Sequence, residues 1–312
     1  QRLAVLLNDE EAYRQASEFH KKRTYSAAPS PFEAYFTGVA VGAEWLASRS
    51  PTFQAAILQA KADRWFATGI AVPDYAELMD LCRRDAALRD AGFPMVADFD
   101  LLTGRLSRLA ETIAAAPADI QPDMPVAFAA ARALLTGDAA ESVSLFAEAL
   151  KLHRKATRKR KGGLPGYIGL LHLCALLATD DAALHPEIEA ASETKEAHLG
   201  LFAIRALLEL ARNKQIAAGE IVQSGLAMLG MMPHLPPVST GLLAVAAVLI
   251  DPGLARPLAA KTLIPLFRRI EASMPLAAGM LAEALERVAP DPAPYRAWLA
   301  RPEREVSFRF TT

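Results

Sequence analysis

Between residues 2 and 300 one pattern fills this chain. Apolar residues recur three and four positions apart, Ala and Leu dominate, and runs of β-branched residues are scarce. That spacing gathers apolar side chains on one face of a 3.6-residue helix, whereas a half-buried strand needs strict alternation. Ala and Leu are also strong helix formers. The chain is therefore expected to be all-α.

Local stop and start chemistry divides the pattern. A first helix is expected over 2–22, with Leu3, Leu6 and Leu7 on one side. Ser30–Pro31 and Ser50–Pro51 each place a capping residue before a proline at the first helical position. They predict helices running to about 49 and about 68, the second stopped by Gly69. Pro73–Asp74 opens a fourth helix expected to end near Gly92. Asp98 or Asp100 is expected to cap a fifth, closed by Pro117. Pro117, Pro122 and Pro125 mark the best internal boundary. The resulting expectation is an N-terminal helical subdomain over 1–118, a helical-repeat region over 119–304 and a tail over 305–312. The tail alternates as Val-Ser-Phe-Arg-Phe and is expected to be strand-like, with nothing in this chain to pair with.

Beyond the prolines a repeat emerges. Arg132–Ala133–Leu134–Leu135 recurs as Arg205–Ala206–Leu207–Leu208, about 73 residues on, which is roughly two helical hairpins of 34–40 residues. Phe146–Ala147–Glu148–Ala149–Leu150 is echoed by Leu281–Ala282–Glu283–Ala284–Leu285, and a Leu-Leu-x-x-Asp ending occurs at 134–138 and 176–180. Hairpins with one apolar face cover one another by stacking. The expected fold is a stack of helical hairpins, a degenerate tetratricopeptide-like solenoid, with a compact irregular bundle as the alternative. The Trp, Gly and Tyr positions of the tetratricopeptide consensus are not periodic here.

Composition narrows function by exclusion. Lys and Arg number 34 against 35 Asp and Glu, a formal charge of −1 over 312 residues, so any electrostatic preference is local. Two cysteines far apart cannot make a disulfide framework and fit a reducing cytoplasm. No apolar run reaches the length of a membrane span. The first residue is not Met and the tail ends abruptly, so a piece of a larger protein is expected.

The strongest charge cluster lies between 153 and 161: His153, Arg154, Lys155, Arg158, Lys159, Arg160 and Lys161. Arg154 shares a helical face with Arg158, and Lys155 with Lys159. Such a cluster can grip phosphates. Cations also belong at a helix C-terminus, facing its unpaired carbonyls, and Gly162–Gly163 suits the left-handed cap that would follow. Arg154, Lys155, Arg158, Lys159, Arg160 and Lys161 are the candidate contacts to nucleic acid or a partner. No aromatic residue interleaves them, so base stacking is not expected. Gly162–Gly163–Leu164–Pro165–Gly166 is no phosphate loop, since its lysines precede the glycines and no Lys-Ser or Lys-Thr follows.

Other candidates are weaker. His172 and Cys174 lie on an apolar helix at a spacing that separates their faces, and are expected in the core. His185 and His198 flank Glu187, Glu189, Glu193 and Glu196, which could build a metal or acid–base site. Beside Lys195 they read better as a solvated face. Met228, Met231 and Met232 with Pro233, Pro236 and Pro237 are expected to fill core, with a partner groove as the alternative. No metal and no cofactor is expected.

Residues 149–178 resemble the helical region preceding the motor of large bacterial Swi/Snf-type helicases. The resemblance is carried by an Ala-Leu-Lys helix, by Thr157, Lys159, Arg160 and Lys161 in a basic turn, by Leu164–Pro165–Gly166, and by the leucine-rich helix that follows. It implies a non-catalytic accessory domain, with an ATPase motor elsewhere in the parent protein. Three expectations follow: such an accessory domain, contacting nucleic acid, a partner protein or its own motor; a free-standing adaptor holding a peptide in a solenoid groove; or an all-α enzyme using carboxylates and histidines around 187–198.

Overall fold

The computed structural model describes residues 11–16, 18, 42–69, 74–158, 162–192, 199–231 and 235–311. These residues are helical wherever they are regular, with no strand among them. They gather into two compact units, Gln1–Val96 and Ala97–Thr312.

The first unit contains α1 (Ala43–Ala47), α2 (Pro51–Thr68), α3 (Tyr75–Arg84) and the start of α4 (Ala86–Leu102). Leu46, Ile57, Leu58, Trp65, Tyr75 and Met79 are fully buried. Helix α2 has the bounds its sequence predicts: Pro51 opens it and Gly69 closes it in the left-handed conformation, φ 69°. Buried Gln54 donates its amide to the carbonyls of Leu46, Ala47 and Arg49, satisfying the end of α1. Lys61, with no exposed surface, pairs with Asp74 at 2.5 Å. Burial lowers its pKa and the Asp74 partner opposes that.

Two expected boundaries are corrected here. The helix beginning after Asp74 does not continue to Gly92. It breaks at Asp85, whose backbone is extended, and restarts as α4. Gly92 lies inside α4 because α3 crosses it closely: a Cβ there would stand 2.6 Å from Cys82 Sγ and 2.7 Å from its Cβ. Asp98 and Asp100 likewise lie within α4 and cap nothing. Asp100 is fully buried and accepts a hydrogen bond from Thr112 Oγ1 at 2.8 Å.

The second unit continues as α5 (Leu106–Ala114), α6 (Asp123–Leu135), α7 (Ala139–Thr157), α8 (Gly166–Ala178), α9 (Leu184–Ser192), α10 (Leu199–Ala211) and α11 (Gln215–Met231). There follow α12 (Pro237–Ile250), α13 (Pro252–Leu258), a π-helical turn at Ala259–Leu263, α14 (Ile264–Ile270), α15 (Pro275–Val288) and α16 (Ala293–Leu299). Helices α6, α8, α10, α12 and α15 form a row, each touching the next. Helices α7, α9, α11 and α16 each pack on the row member before them. The sequence explains the division. Helix α12 is apolar on all sides and buried at every position from Pro237 to Val248. Helix α7 buries only Ser142, Phe146, Ala149 and Leu150, a single stripe.

One turn recurs through this unit. Gly104, Gly137, Asp180 and Asn213 all have positive φ. At each, the next residue's amide donates back five positions: Arg105 to Asp100, Asp138 to Ala133, Asp181 to Leu176 and Lys214 to Glu209, at 2.8–2.9 Å. This is the Schellman arrangement, which ends a helix and starts its partner within a few residues. Thr103, Thr136 and Thr179 precede three of these turns, each donating its hydroxyl four residues back. Arg132–Leu135 and Arg205–Leu208 both lie in helices that end in this turn. The Leu-Leu-x-x-Asp pattern is one residue out of register, since Asp138 corresponds to Asp181 and not to Asp180.

The tail is not a strand, and it is not loose. Residues 305–311 run across the unit as a strap, irregular over 305–309 and turning at 310–311. Ser307 and Phe308 donate their amides to Leu135 O at 2.9 and 3.1 Å, and Thr311 donates to Glu283 Oε2 at 3.0 Å. With no sheet edge to pair with, the strap's backbone donors are met by helix ends and by a carboxylate.

Candidate functional site at the basic end of helix α7

Helix α7 is fixed at its start by Asp138, whose carboxylate accepts from the Glu141 amide at 2.9 Å. Its last turn carries Arg154 and Lys155, and it ends at Arg158. Arg158 itself adopts the left-handed conformation, φ 55°. The cap expected at Gly162–Gly163 thus falls on a residue that gains no steric relief there. Gly162 also has a positive φ, 127°, and a Cβ there would meet nothing within 4 Å.

The structure separates the basic residues it describes. Arg154 is a clamp. Its Nη2 donates to both carboxylate oxygens of Glu187 at 3.0 Å, and its Nε donates to Gly162 O at 3.1 Å. Helix α7, the glycine loop and helix α9 are thereby joined through one guanidinium, whose Nε and Nη2 donate to different elements. Lys155 and Arg158 are exposed, and neither forms an ion pair among the described residues. Lys159, Arg160 and Lys161 lie outside the described residues. Of the expected contacts, Arg154 is committed to the fold, while Lys155 and Arg158 are exposed.

Beneath this end lie two more polar groups. His153 Nδ1 is 2.8 Å from Asp123 Oδ2, tying α7 to the first turn of α6. His172 is buried against the Phe146 ring at 5.0 Å between centroids. Burial, with Arg154 nearby, pushes its pKa down to about 4, against a smaller opposing pull from Asp181. The ring is thus a neutral core group at ordinary pH. Cys174 and Cys82 are free and buried, and burial lifts both thiols to about 12. Neither has the thiolate character of a reactive cysteine.

Helix α8 begins one step further on. Leu164 is buried, and Gly169 admits no side chain, because a Cβ there would lie 2.2 Å from Leu164 O. Tyr167 donates its hydroxyl to Asp98 Oδ1 at 2.5 Å. Burial pushes the Asp98 carboxyl up to about 7, with the Tyr167 hydrogen bond opposing it. No local pattern announces this pair, whose members are 69 positions apart.

The carboxylate–histidine cluster does not assemble among the described residues. Glu187 is held by Arg154. His185 and Glu189 form an exposed pair one helical turn apart, at 3.2 Å. Glu193, Lys195, Glu196 and His198 fall outside the described residues. No group of three or more His, Cys, Asp or Glu among the described residues is placed to hold a metal ion. The methionine expectation needs correcting as well: Met231 is 78% exposed at the end of α11 and fills no core, Met228 is half-buried, and 232–234 lie outside the described residues. No described helix is long and apolar enough to cross a membrane.

No family model, no curated protein and no solved structure matches the chain.

Proposed function

We propose that this chain is a non-catalytic helical scaffold, the accessory part of a bacterial Swi/Snf-type ATPase, working in the cytoplasm. It contacts nucleic acid, a partner protein or its own motor through the basic end of α7. The observation that carries this reading is the division of labour there. Arg154 is locked to Glu187, while Lys155 and Arg158 stand exposed on a turn that the sequence continues with Lys159, Arg160 and Lys161. The likeness of residues 149–178 to the helical region before such motors supports it. The net charge of −1 makes this cluster the local exception, since non-specific phosphate binding draws on Lys and Arg contacts.

The scaffold itself we read as degenerate tetratricopeptide-like hairpins. The row of contacting helices and the recurrence of one turn at 104, 137, 180 and 213 support that.

The test is a salt series of DNA and RNA binding by fluorescence anisotropy. It compares the chain with a variant carrying Ala at Lys155, Arg158, Lys159, Arg160 and Lys161. Affinity that falls steeply with salt, with a slope reduced by roughly 0.9 per lost contact on duplex DNA, supports phosphate recognition. No binding at low salt returns the cluster to its helix-capping role and leaves protein partners as the ligand class.

A further inference from the structure

We infer that the strap occupies, in cis, a groove built to bind a peptide through its main chain. The inference concerns a different face from the basic end of α7 and stands whether or not that end binds nucleic acid. Four elements of the second unit line the groove: the first turn of α5, the C-terminal end of α6, the paired turns at Gly104 and Gly137, and one side of α15. All but the glycine turns present a polar group to the strap. The Ser107 amide donates to Glu305 Oε2 at 2.5 Å. Leu135 O accepts the amides of Ser307 and Phe308. Glu283 Oε2 accepts the amide of Thr311, and Arg287 donates to Thr311 O at 3.2 Å. Arg309 faces Glu283 Oε1 at 4.0 Å.

Most of these bonds go to backbone atoms of the strap, so they fix the path of its main chain. The two turn glycines lie against it. A Cβ on Gly104 would stand 3.4 Å from Val306 Cγ2, and one on Gly137 3.4 Å from Ser307 Oγ. The decisive residue is Glu283. It is 2% exposed on a helix that is otherwise apolar across this stretch. Burial raises its pKa, and the groups that lower it again all belong to the strap: Arg309, Thr311 and Phe310. The hydrogen bond and the ion pair of this buried carboxylate are both made to the strap, to the Thr311 amide and to Arg309. The ligand class is therefore a segment with an acid at its first position, a small residue two on and a base four on, as Glu305, Ser307 and Arg309 stand in the strap.

The strap leaves the helical body through an exposed turn at 301–303, while Arg304 is held by Leu299 O at 2.9 Å. That turn allows a test on the full chain. A site-specific protease sequence is inserted there, and the folded protein is cut and dialysed. A fluorescent peptide spanning residues 303–311 is then added to cut and uncut protein. The cut chain is expected to keep its helical circular dichroism, release its strap and take up the peptide, while the uncut chain takes up little. A peptide N-methylated at Thr311 loses the amide that meets Glu283 and is expected to bind at least tenfold more weakly. A Glu283→Gln chain is expected to bind the unmodified peptide several-fold more weakly. Loss of helix on cutting, a released strap with no uptake of the peptide, or uptake indifferent to N-methylation would each overturn the inference.

Discussion

Arg154 at the end of α7 and Arg309 in the strap each face a glutamate, and the two pairs are built differently. Arg154 reaches both oxygens of a partly open Glu187 at 3.0 Å. Arg309 comes only within 4.0 Å of the buried Glu283, whose shorter bond, at 3.0 Å, is to the Thr311 amide. The difference follows from backbone accounting. Helix α7 satisfies its own amides, so a side chain is free to clamp it to α9. The strap has no helix or sheet of its own and must place its amides on its neighbours, so α15 carries a carboxylate where its pattern asks for an apolar residue. One arginine joins elements that already exist, and the other belongs to a segment whose shape is set by what it docks on.

Reversing the charge in the strap pair should give the largest effect. Glu283→Lys buries an ammonium beside Arg309 and Arg287 and removes the acceptor for Thr311. It is expected to cost about 3–5 kcal/mol, as breaking a buried pair does. Urea denaturation reads this directly, and a loss below about 1 kcal/mol would mean that the strap is not bound through Glu283. Next in size is a pH effect beneath the basic end. The His172 imidazole titrates near 4 in the folded chain against about 6.5 unfolded, so the folded state prefers the neutral ring. Its stability contribution is whole above about pH 6.5 and is lost as pH falls toward 4, a change on the order of 3 kcal/mol. Asp98, raised to about 7, acts in the opposite sense: its contribution is whole below the ordinary carboxylate range and is lost as pH rises to about 7. The two slopes partly cancel in the parent chain. They separate when denaturation midpoints at pH 4.5 and 7.5 are compared for His172→Leu and Asp98→Asn. A His172→Leu variant with an unchanged pH profile would remove the buried imidazole from this account.

Features that rest on neighbouring residues were legible in the sequence, and features that rest on distant ones were not. Ser50–Pro51 and Gly69 bound α2 because capping is settled within a few residues. The all-α class was legible for the same reason, as periodicity is local. Gly92 misled because its purpose is the close passage of Cys82 on α3, which nothing in its own segment announces. Asp98 and Asp100 looked like caps because their partners, Tyr167 and Thr112, come from later helices. A finer reading could have found one thing more. Leu101–Leu102–Thr103–Gly104–Arg105 matches Leu134–Leu135–Thr136–Gly137–Asp138 in four of five positions, and these are the first two of the recurring turns. Within the candidate site, the basic run was legible as a cluster, but its split into a clamp and an exposed pair depends on Glu187, 33 positions from Arg154.

That split predicts the next effect in size. Arg154→Ala removes three charge-assisted bonds, two to Glu187 and one to Gly162 O, and leaves Glu187, 13% exposed, without its partner. A loss of about 1–3 kcal/mol is expected, against less than about 0.5 kcal/mol for Lys155→Ala on the exposed side. Equal losses in thermal melts would erase the distinction between clamp and contact.

The smallest effect is the most discriminating. Arg158 holds a left-handed backbone that glycine adopts without strain, so Arg158→Gly should stabilise the chain by about 1 kcal/mol. The same substitution removes a charge from the proposed contact and should lower the salt slope of nucleic-acid binding by about 0.9. The two readouts are independent, because one concerns backbone conformation and the other counterions. Stabilisation with an unchanged salt slope would show that Arg158 serves only to end α7, and would leave Lys155 as the one described cation for the interface to use.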